Sequence, residues 1–318
     1  MVSAQALHIG LNRVDPAAYA GWEGRLQACE NDAAALHSQT SGRGYNAQIL
    51  LSEDATSGRV FGILSEAART LVAGDIFVLT YAGHGGRFAD LSDDETDSMD
   101  ETWLLYNREI LDDEIHQALA AFASGVRVVV LSDSCHSGTV IRRMLEEQRW
   151  HTPRAAPSWV QTQVLELDRQ LYDAVRRRTP RPEELPVSAS ILLISGSQDD
   201  QFSMEGDQHG AFTEAVLATL NDGNFNGDYR ALHAATVAGL PPDQVPNFFQ
   251  DGRPWPEFAA QKPFTIPPPA GSTSLGGSQG TSEKMSPTVK VTLTIETAVT
   301  DLTALLEEFL KTGEKDQA

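Results

Sequence analysis

Two runs, Asp75–Tyr81 (DIFVLTY) and Val126–Leu131 (VRVVVL), limit most tightly what this chain can fold into. Both are nearly continuous in apolar, β-branched and aromatic residues, the pattern of a strand covered on both faces. Ala189–Ser195 (ASILLIS) has the same character. Such strands need helices on either side of their sheet, and helical spacing lies between them. Gln27–Gln39 offers Ala33, Ala34 and Leu36, with Leu26 just before it. Ser57–Leu71 lines up Phe61, Leu64, Ala68 and Leu71, and Asp112–Phe122 follows. Ala6–Ile9 and Ala47–Leu51 read as two short early strands. Gly210–Leu220 and Asp228–Ala238 read as late helices, and Val245–Gln250 as a short edge strand. This alternation predicts an α/β fold with a mostly parallel sheet.

Segment 139–187 breaks the rhythm. It holds nine arginines (Arg142, Arg143, Arg149, Arg154, Arg169, Arg176, Arg177, Arg178 and Arg181) punctuated by prolines, with helical spacing only over Val160–Val175. It reads as an elaborated surface insertion. The chain therefore divides into a first half (1–138), this insertion (139–187), a second half (188–266), a Pro/Gly/Ser-rich flexible linker (267–287) and a strand–helix tail (288–318). One strand and one helix cannot build a core alone, so the tail should dock on its own body, another copy or a partner.

The formal charge of -20 argues against a nucleic-acid binder and against docking on anionic lipid. No apolar run reaches the roughly 20 residues that span a bilayer, and the N-terminus lacks the pattern of a signal peptide. With two cysteines there is no disulfide framework. The expected setting is a reducing compartment, the cytoplasm, with any important thiol free.

The first buried strand runs into Ala82-Gly83-His84-Gly85-Gly86, and the second into Ser132-Asp133-Ser134-Cys135-His136-Ser137-Gly138. Both segments sit at carboxyl ends of expected parallel strands, the edge where open α/β sheets place ligands. A lone cysteine is more often a small buried hydrophobe, and a lone histidine between glycines is usually a loop residue. Together, at the ends of two buried strands, they fit a nucleophile and its base.

YAGHGG with SDSCHSG resembles the catalytic pair of caspase-like cysteine peptidases, and most of all that of metacaspases and their bacterial relatives, the orthocaspases. LQACENDA (26–33), ISGSQDDQ (194–201), GAFT (210–213) and the stretch 246–263 also resemble that family. The resemblance spans roughly Ala6–Phe264. It implies a caspase-like three-layer sandwich, a mostly parallel central sheet flanked by helices. It makes Cys135 the nucleophile and His84 its acid–base partner, with the backbone N–H groups of Gly85 and Cys135 as oxyanion donors. His136 is read as structural. The family's acidic P1 pocket falls on Asp32 and Asp133, with Cys29 and Ala82 in its walls. Two carboxylates suit an arginine or lysine, which they can pair with directly. Taken alone, Asp32 could equally be a charge at a helix N-terminus.

The acidic stretch 90–101 carries seven carboxylates, an ordinary solvated loop or a calcium site. The resemblance assigns calcium to Asp100, Asp112 and Asp113. Arg142 stands where the family has a fourth aspartate, so no cofactor is expected to be required, with calcium the weaker alternative.

The leading reading is thus a cysteine endopeptidase acting on proteins or peptides with Arg or Lys at P1. A catalytically silent module that recruits partners through its tail is the alternative, and a different thiol hydrolase on the same scaffold is a third. The arginine-rich insertion invites cleavage after Arg142, Arg143, Arg149, Arg176, Arg177 or Arg178, by the chain itself or by an upstream protease. Arg181 precedes a proline and is a poor site. The fragments should stay together, because strands on both sides of the cut belong to one sheet.

Overall fold

The apolar runs form the middle of a six-stranded sheet. The structure, a computed structural model, describes residues 2–89, 99–135, 152–197 and 203–267. In chain order its first half contains β1 (Ala4–Gly10), α1 (Cys29–Ser41), β2 (Asn46–Leu51), α2 (Ser57–Thr70), β3 (Ile76–Ala82), β4 (Gly85–Ala89), β5 (Met99–Leu105), β6 (Arg108–Leu111), α3 (Asp112–Ala120) and β7 (Arg127–Asp133). There follow β8 (Thr152–Pro153), α4 (Ser158–Leu167), α5 (Arg169–Arg178), β9 (Ser190–Ser195), β10 (Met204–Glu205), α6 (Ala211–Leu220), α7 (Tyr229–Ala238), β11 (Asn247–Gly252) and α8 (Pro256–Ala259).

The main sheet has the order β11-β9-β7-β3-β1-β2. All neighbours are parallel except the edge pair β11–β9. Successive side chains of a strand point to opposite faces, and both faces here are apolar. Leu7, Ile9, Phe77, Leu79, Val128 and Val130 meet Val60 and Leu64 of α2 and Leu119 of α3. The alternating set, Ala6, Ile76, Val78, Val129 and Leu131, meets Leu36 of α1, Phe212 and Val216 of α6 and Leu232 of α7. The result is the expected three-layer caspase-like sandwich. The elements read from the sequence between Ala6 and Gln250 recur here with ends shifted by a few residues at most, the helical stretch Val160–Val175 being two helices, α4 and α5. Arg127, a charge inside a buried strand, donates to the carbonyls of Gly74 (3.0 Å) and Thr265 (2.9 Å) and to Gln261 Oε1 (2.8 Å), tying the end of the described chain to the sheet.

Two features depart from the sequence reading. A second, antiparallel sheet, β4-β5-β6, grows from the end of β3. The supposed surface insertion is packed where it is described. Val160 and Val164 of α4 and Tyr172 of α5 bury against Phe88, Leu104 and Leu111 of the small sheet in a separate apolar cluster. The dense arginines and prolines hid this, because one buried stripe suffices to dock a helix whose other faces are charged. The described residues all lie within one compact unit, Met1–Gly277. The tail 288–318 falls outside them. Among the described residues no helix is long and apolar enough to cross a membrane.

Tyr172 tests the packing of α5. It is fully buried, edge-on to Phe88 with ring centroids 4.8 Å apart. Tyr172→Ala should cost about 3–5 kcal/mol in urea unfolding. A loss below about 1 kcal/mol would mean that this helix is not part of the core.

Candidate active site

Sheet register brings the two motifs together. β3 and β7 pair so that Ala82 lies beside Asp133. His84 and Cys135 each lie two residues further on, so both leave the sheet at the same level, at its carboxyl edge. The strand order reverses between β1 and β3, and such a reversal opens a crevice at that edge. The helix following β1 starts there with Cys29 and Asp32.

His84 is buried, and its Nε2 lies 3.1 Å from the Gly24 carbonyl. A carbonyl only accepts, so the proton sits on Nε2 and Nδ1 keeps its lone pair. Nδ1 has no hydrogen-bond partner. Gly24 has φ 55°, and a Cβ there would come 3.0 Å from the Trp22 ring, so glycine lets this loop turn its carbonyl onto the imidazole. Trp22 covers the imidazole, with ring centroids 4.8 Å apart. Burial lowers the His84 pKa to about 3; the Gly24 bond opposes that shift and the Arg154 guanidinium adds to it. Trp22 and Gly24 were not singled out in the sequence, where the stretch between β1 and α1 shows no periodicity.

Cys135 has no exposed surface. Its Sγ accepts from the Ser203 N–H and lies 3.2 Å from the Ser203 carbonyl. Burial pushes the thiol up to about 12, partly offset by the Ser203 contact. The expected oxyanion donors converge on one oxygen, the main-chain carbonyl of Arg154. Gly85 N–H donates to it at 2.9 Å and Cys135 N–H at 3.1 Å.

The pocket residues surround the side chain of that same arginine. Arg154 Nη2 donates to Asp32 Oδ2 at 2.6 Å, and Nη1 lies 2.8 Å from Asp133 Oδ2. Arg154 and Asp32 are fully buried and Asp133 is 2% exposed. Burial alone would lower the Arg154 pKa, but Asp133 and Asp32 outweigh it and keep the group charged. Each carboxylate is also held from behind. Asp32 accepts from His209 Nδ1 (2.8 Å) and Gly210 N–H (3.2 Å). Asp133 accepts from Thr213 Oγ1 (2.7 Å), Thr213 N–H (3.2 Å) and the Ser203 hydroxyl. Cys29 and Ala82 form a small buried cluster with Leu26. A Cβ on Gly210 would come 2.5 Å from Arg154 Nη1, so this wall must be glycine.

Arg154, Ser203, His209 and Thr213 are the functional neighbours that the sequence reading left unassigned. Their partners lie tens of residues or more away in the chain, and no local pattern signals such contacts. Glu205 belongs with them. Its Oε1 accepts the N–H groups of Gln27 and Ala28, both at 2.7 Å, and so satisfies the start of the helix that carries Asp32.

The remaining candidates lie around β5, the start of α3 and the end of α5. Asp100 pairs with Arg176 Nε at 2.9 Å, and Asp112 and Asp113 open α3. Among the described residues no group of three or more His, Cys, Asp or Glu side chains is placed to hold a metal. Arg176, Arg177 and Arg178 form the last turn of α5. A peptidase cleft takes extended backbone, so cleavage there would first require unwinding. His136, Arg142, Arg143, Arg149 and the acidic run 90–98 lie outside the described residues.

A family model for the caspase domain matches residues 6–263. The chain belongs to the caspase-domain family. Its caspase domain is 34% identical over 152 residues to Metacaspase-1 of Saccharomyces cerevisiae, an alignment covering 43% of this chain and 34% of that one. It is 27% identical over 260 residues to Metacaspase-1B of Aspergillus oryzae, covering 68% and 60%. The chain thus spans about a third of the yeast relative and 60% of the Aspergillus one. A crystal structure of a Geobacter sulfurreducens protein superposes with a TM-score of 0.77 at 45% identity, covering 83% of this chain and 99% of that one.

Occlusion of the thiol has a chemical consequence. At pH 7.5 the native protein should react with iodoacetamide at Cys135 at least about a hundredfold more slowly than a free cysteine. Labelling followed by peptide mass spectrometry measures this. Rapid modification of Cys135 would show that the segment around Arg154 leaves the cleft readily.

Proposed function

We propose that this chain is a cysteine endopeptidase that cleaves after arginine or lysine, with Cys135 as nucleophile and His84 as its base. One observation carries the reading: a guanidinium clasped between Asp32 and Asp133, whose own carbonyl sits between the N–H groups of Gly85 and Cys135. A P1 residue requires both placements at once.

The chemistry follows from the hydrogen bonds. Gly24 fixes the Nε2–H tautomer of His84, which leaves Nδ1 to take the thiol proton. The thiolate attacks the P1 carbonyl carbon, and the negative charge that develops on the oxygen falls between the two N–H donors. Each such donor is worth about 3 kcal/mol of barrier. The His84 imidazolium then returns its proton to the departing amine. Water releases the acyl group from sulfur by the same steps, with His84 again the base.

A panel of fluorogenic peptides with Arg, Lys, Asp or Asn at P1, run with and without calcium, tests the assignment. Arg and Lys should be cleaved and Asp and Asn should not, with calcium changing rates only modestly. Cys135→Ala should lower kcat/KM by at least about a thousandfold, and Asp133→Ala should raise the barrier for Arg peptides by about 2–5 kcal/mol. Cleavage after Asp, or full activity in Cys135→Ala, would refute the reading.

A further inference from the structure

A histidine stands behind one of the two pocket acids. His209 lies in the tight turn that follows β10, where the Gly206 N–H donates to the His209 carbonyl at 3.0 Å and Glu205 bridges to Gly210. Its Nδ1 lies 2.8 Å from Asp32 Oδ1. The Arg154 guanidinium, on a segment docked by main-chain hydrogen bonds, takes the other oxygen, Oδ2, at 2.6 Å. One carboxylate therefore serves two nitrogen groups of different kinds. A guanidinium is charged at every working pH, whereas an imidazole is charged only when protonated. The His209 side chain is 28% exposed, while those of Asp32 and Arg154 have no exposed surface, so the histidine can exchange its proton with solvent. We propose that His209 sets how strongly the P1 pocket prefers a cation. Neutral His209 leaves the charge of Asp32 to the P1 side chain, and protonated His209 takes part of that charge for itself. The inference rests on the peptidase reading above and adds a specificity-determining residue to its pocket.

The argument is one of linkage. Two cations on one carboxylate repel each other. A guanidinium in the pocket therefore weakens the hold of His209 on its proton, and a proton on His209 weakens the pocket's hold on the guanidinium by the same factor. The groups around His209 come from several elements: Asp32 from α1, Glu214 from α6, Arg154 from the docked segment, and Glu205 and Asp207 from its own hairpin. The Asp32 hydrogen bond raises the His209 pKa, and Glu214 adds to it, while burial and Arg154 oppose them. Deprotonation removes the Nε2 proton and leaves Nδ1–H on Asp32, so the acid stays anchored and only the charge changes. Asp133 has no such companion. Apart from the arginine it accepts from the Thr213 and Ser203 hydroxyls and the Thr213 N–H, none of which ionises near neutral pH. The half of the pocket that responds to pH is thus the Asp32 half. Couplings between sites run from about five- to 150-fold. Solvent at the exposed face of His209 screens this one, which places it at about five- to tenfold.

The test measures kcat and KM for an arginine-P1 peptide and for its citrulline twin, uncharged but of the same shape, from about pH 5.5 to about pH 8.5. It uses the full-length wild type, His209→Gln and His209→Lys. In the ratio of the two peptides the titration of Cys135 and His84 cancels, as does competition from the docked segment. In the wild type the arginine preference should rise about five- to tenfold with pH along a one-proton curve, with its midpoint above the ordinary 6.5 of histidine. The change should appear in KM and not in kcat, because it is a change in binding. His209→Gln keeps a donor for Asp32 but cannot ionise, and its preference should not vary with pH. His209→Lys carries a fixed charge over this range, so its preference should be equally flat and lower than that of His209→Gln. A wild type that prefers arginine to the same degree at every pH overturns the inference and leaves the peptidase reading standing. So does a wild-type rise that persists in His209→Gln, or in His209→Lys should the glutamine variant fail to fold. If the wild type cleaves neither peptide, or shows no arginine preference at any pH, the peptidase reading fails and the inference with it.

Discussion

Three charges without solvent hold the site together. The Arg154 guanidinium bridges Asp32 and Asp133. Taking each ion out of water costs several kcal/mol, and the attraction offsets this only when the remaining hydrogen-bonding capacity is filled. It largely is: His209, Gly210, Thr213 and Ser203 complete the two carboxylates. The space between the two acids is filled by a cation long enough to reach both. Emptied, it leaves two buried carboxylates close together, which explains why the chain fills it with an arginine of its own. The Asp32 hydrogen bond also raises the His209 pKa. Protonated His209 thus stabilises the folded pocket below its unfolded pKa, and that contribution is lost as pH rises through the folded one.

The same interaction sets the surroundings of the proposed catalytic pair. With Arg154 in place, its carbonyl lies between the N–H groups of Gly85 and Cys135, and burial raises the Cys135 pKa and lowers that of His84. The thiol leans on Ser203, not on His84. In the proposed reaction the sulfur has to leave Ser203 to meet His84. The segment that covers the thiol is held through main-chain hydrogen bonds and one ion cluster.

Much of this was legible in the sequence. Apolar runs such as Asp75–Tyr81 can only be central strands, and two strands in parallel register must present the residues that follow them at one edge. His84 and Cys135 were readable for that reason. Asp32 and Asp133 needed the family resemblance, since a single aspartate at a helix start has an ordinary explanation. The small sheet β4-β5-β6 was missed because its strands flank the acidic run, whose charge masks the alternation. Arg154 was visible only as one arginine among nine. Charge density marks such a segment as polar, but which arginine turns inward depends on contacts with Asp32 and Asp133, 122 and 21 residues away. Sequence reasoning therefore named Arg142, Arg143, Arg149 and Arg176–Arg178 as exposed basic sites and passed over Arg154.

The central claim is that Asp32 and Asp133 recognise the positive charge of a P1 side chain. The most direct measurement compares kcat/KM for two peptides identical except for arginine or its neutral isostere citrulline at P1, in wild type and in Asp133→Asn. The docked segment competes equally with both peptides and cancels in the ratio. The wild type should favour arginine by about a hundredfold or more, and in Asp133→Asn the preference should shrink to within about tenfold. An unchanged preference in the variant, or none in the wild type, would contradict the account.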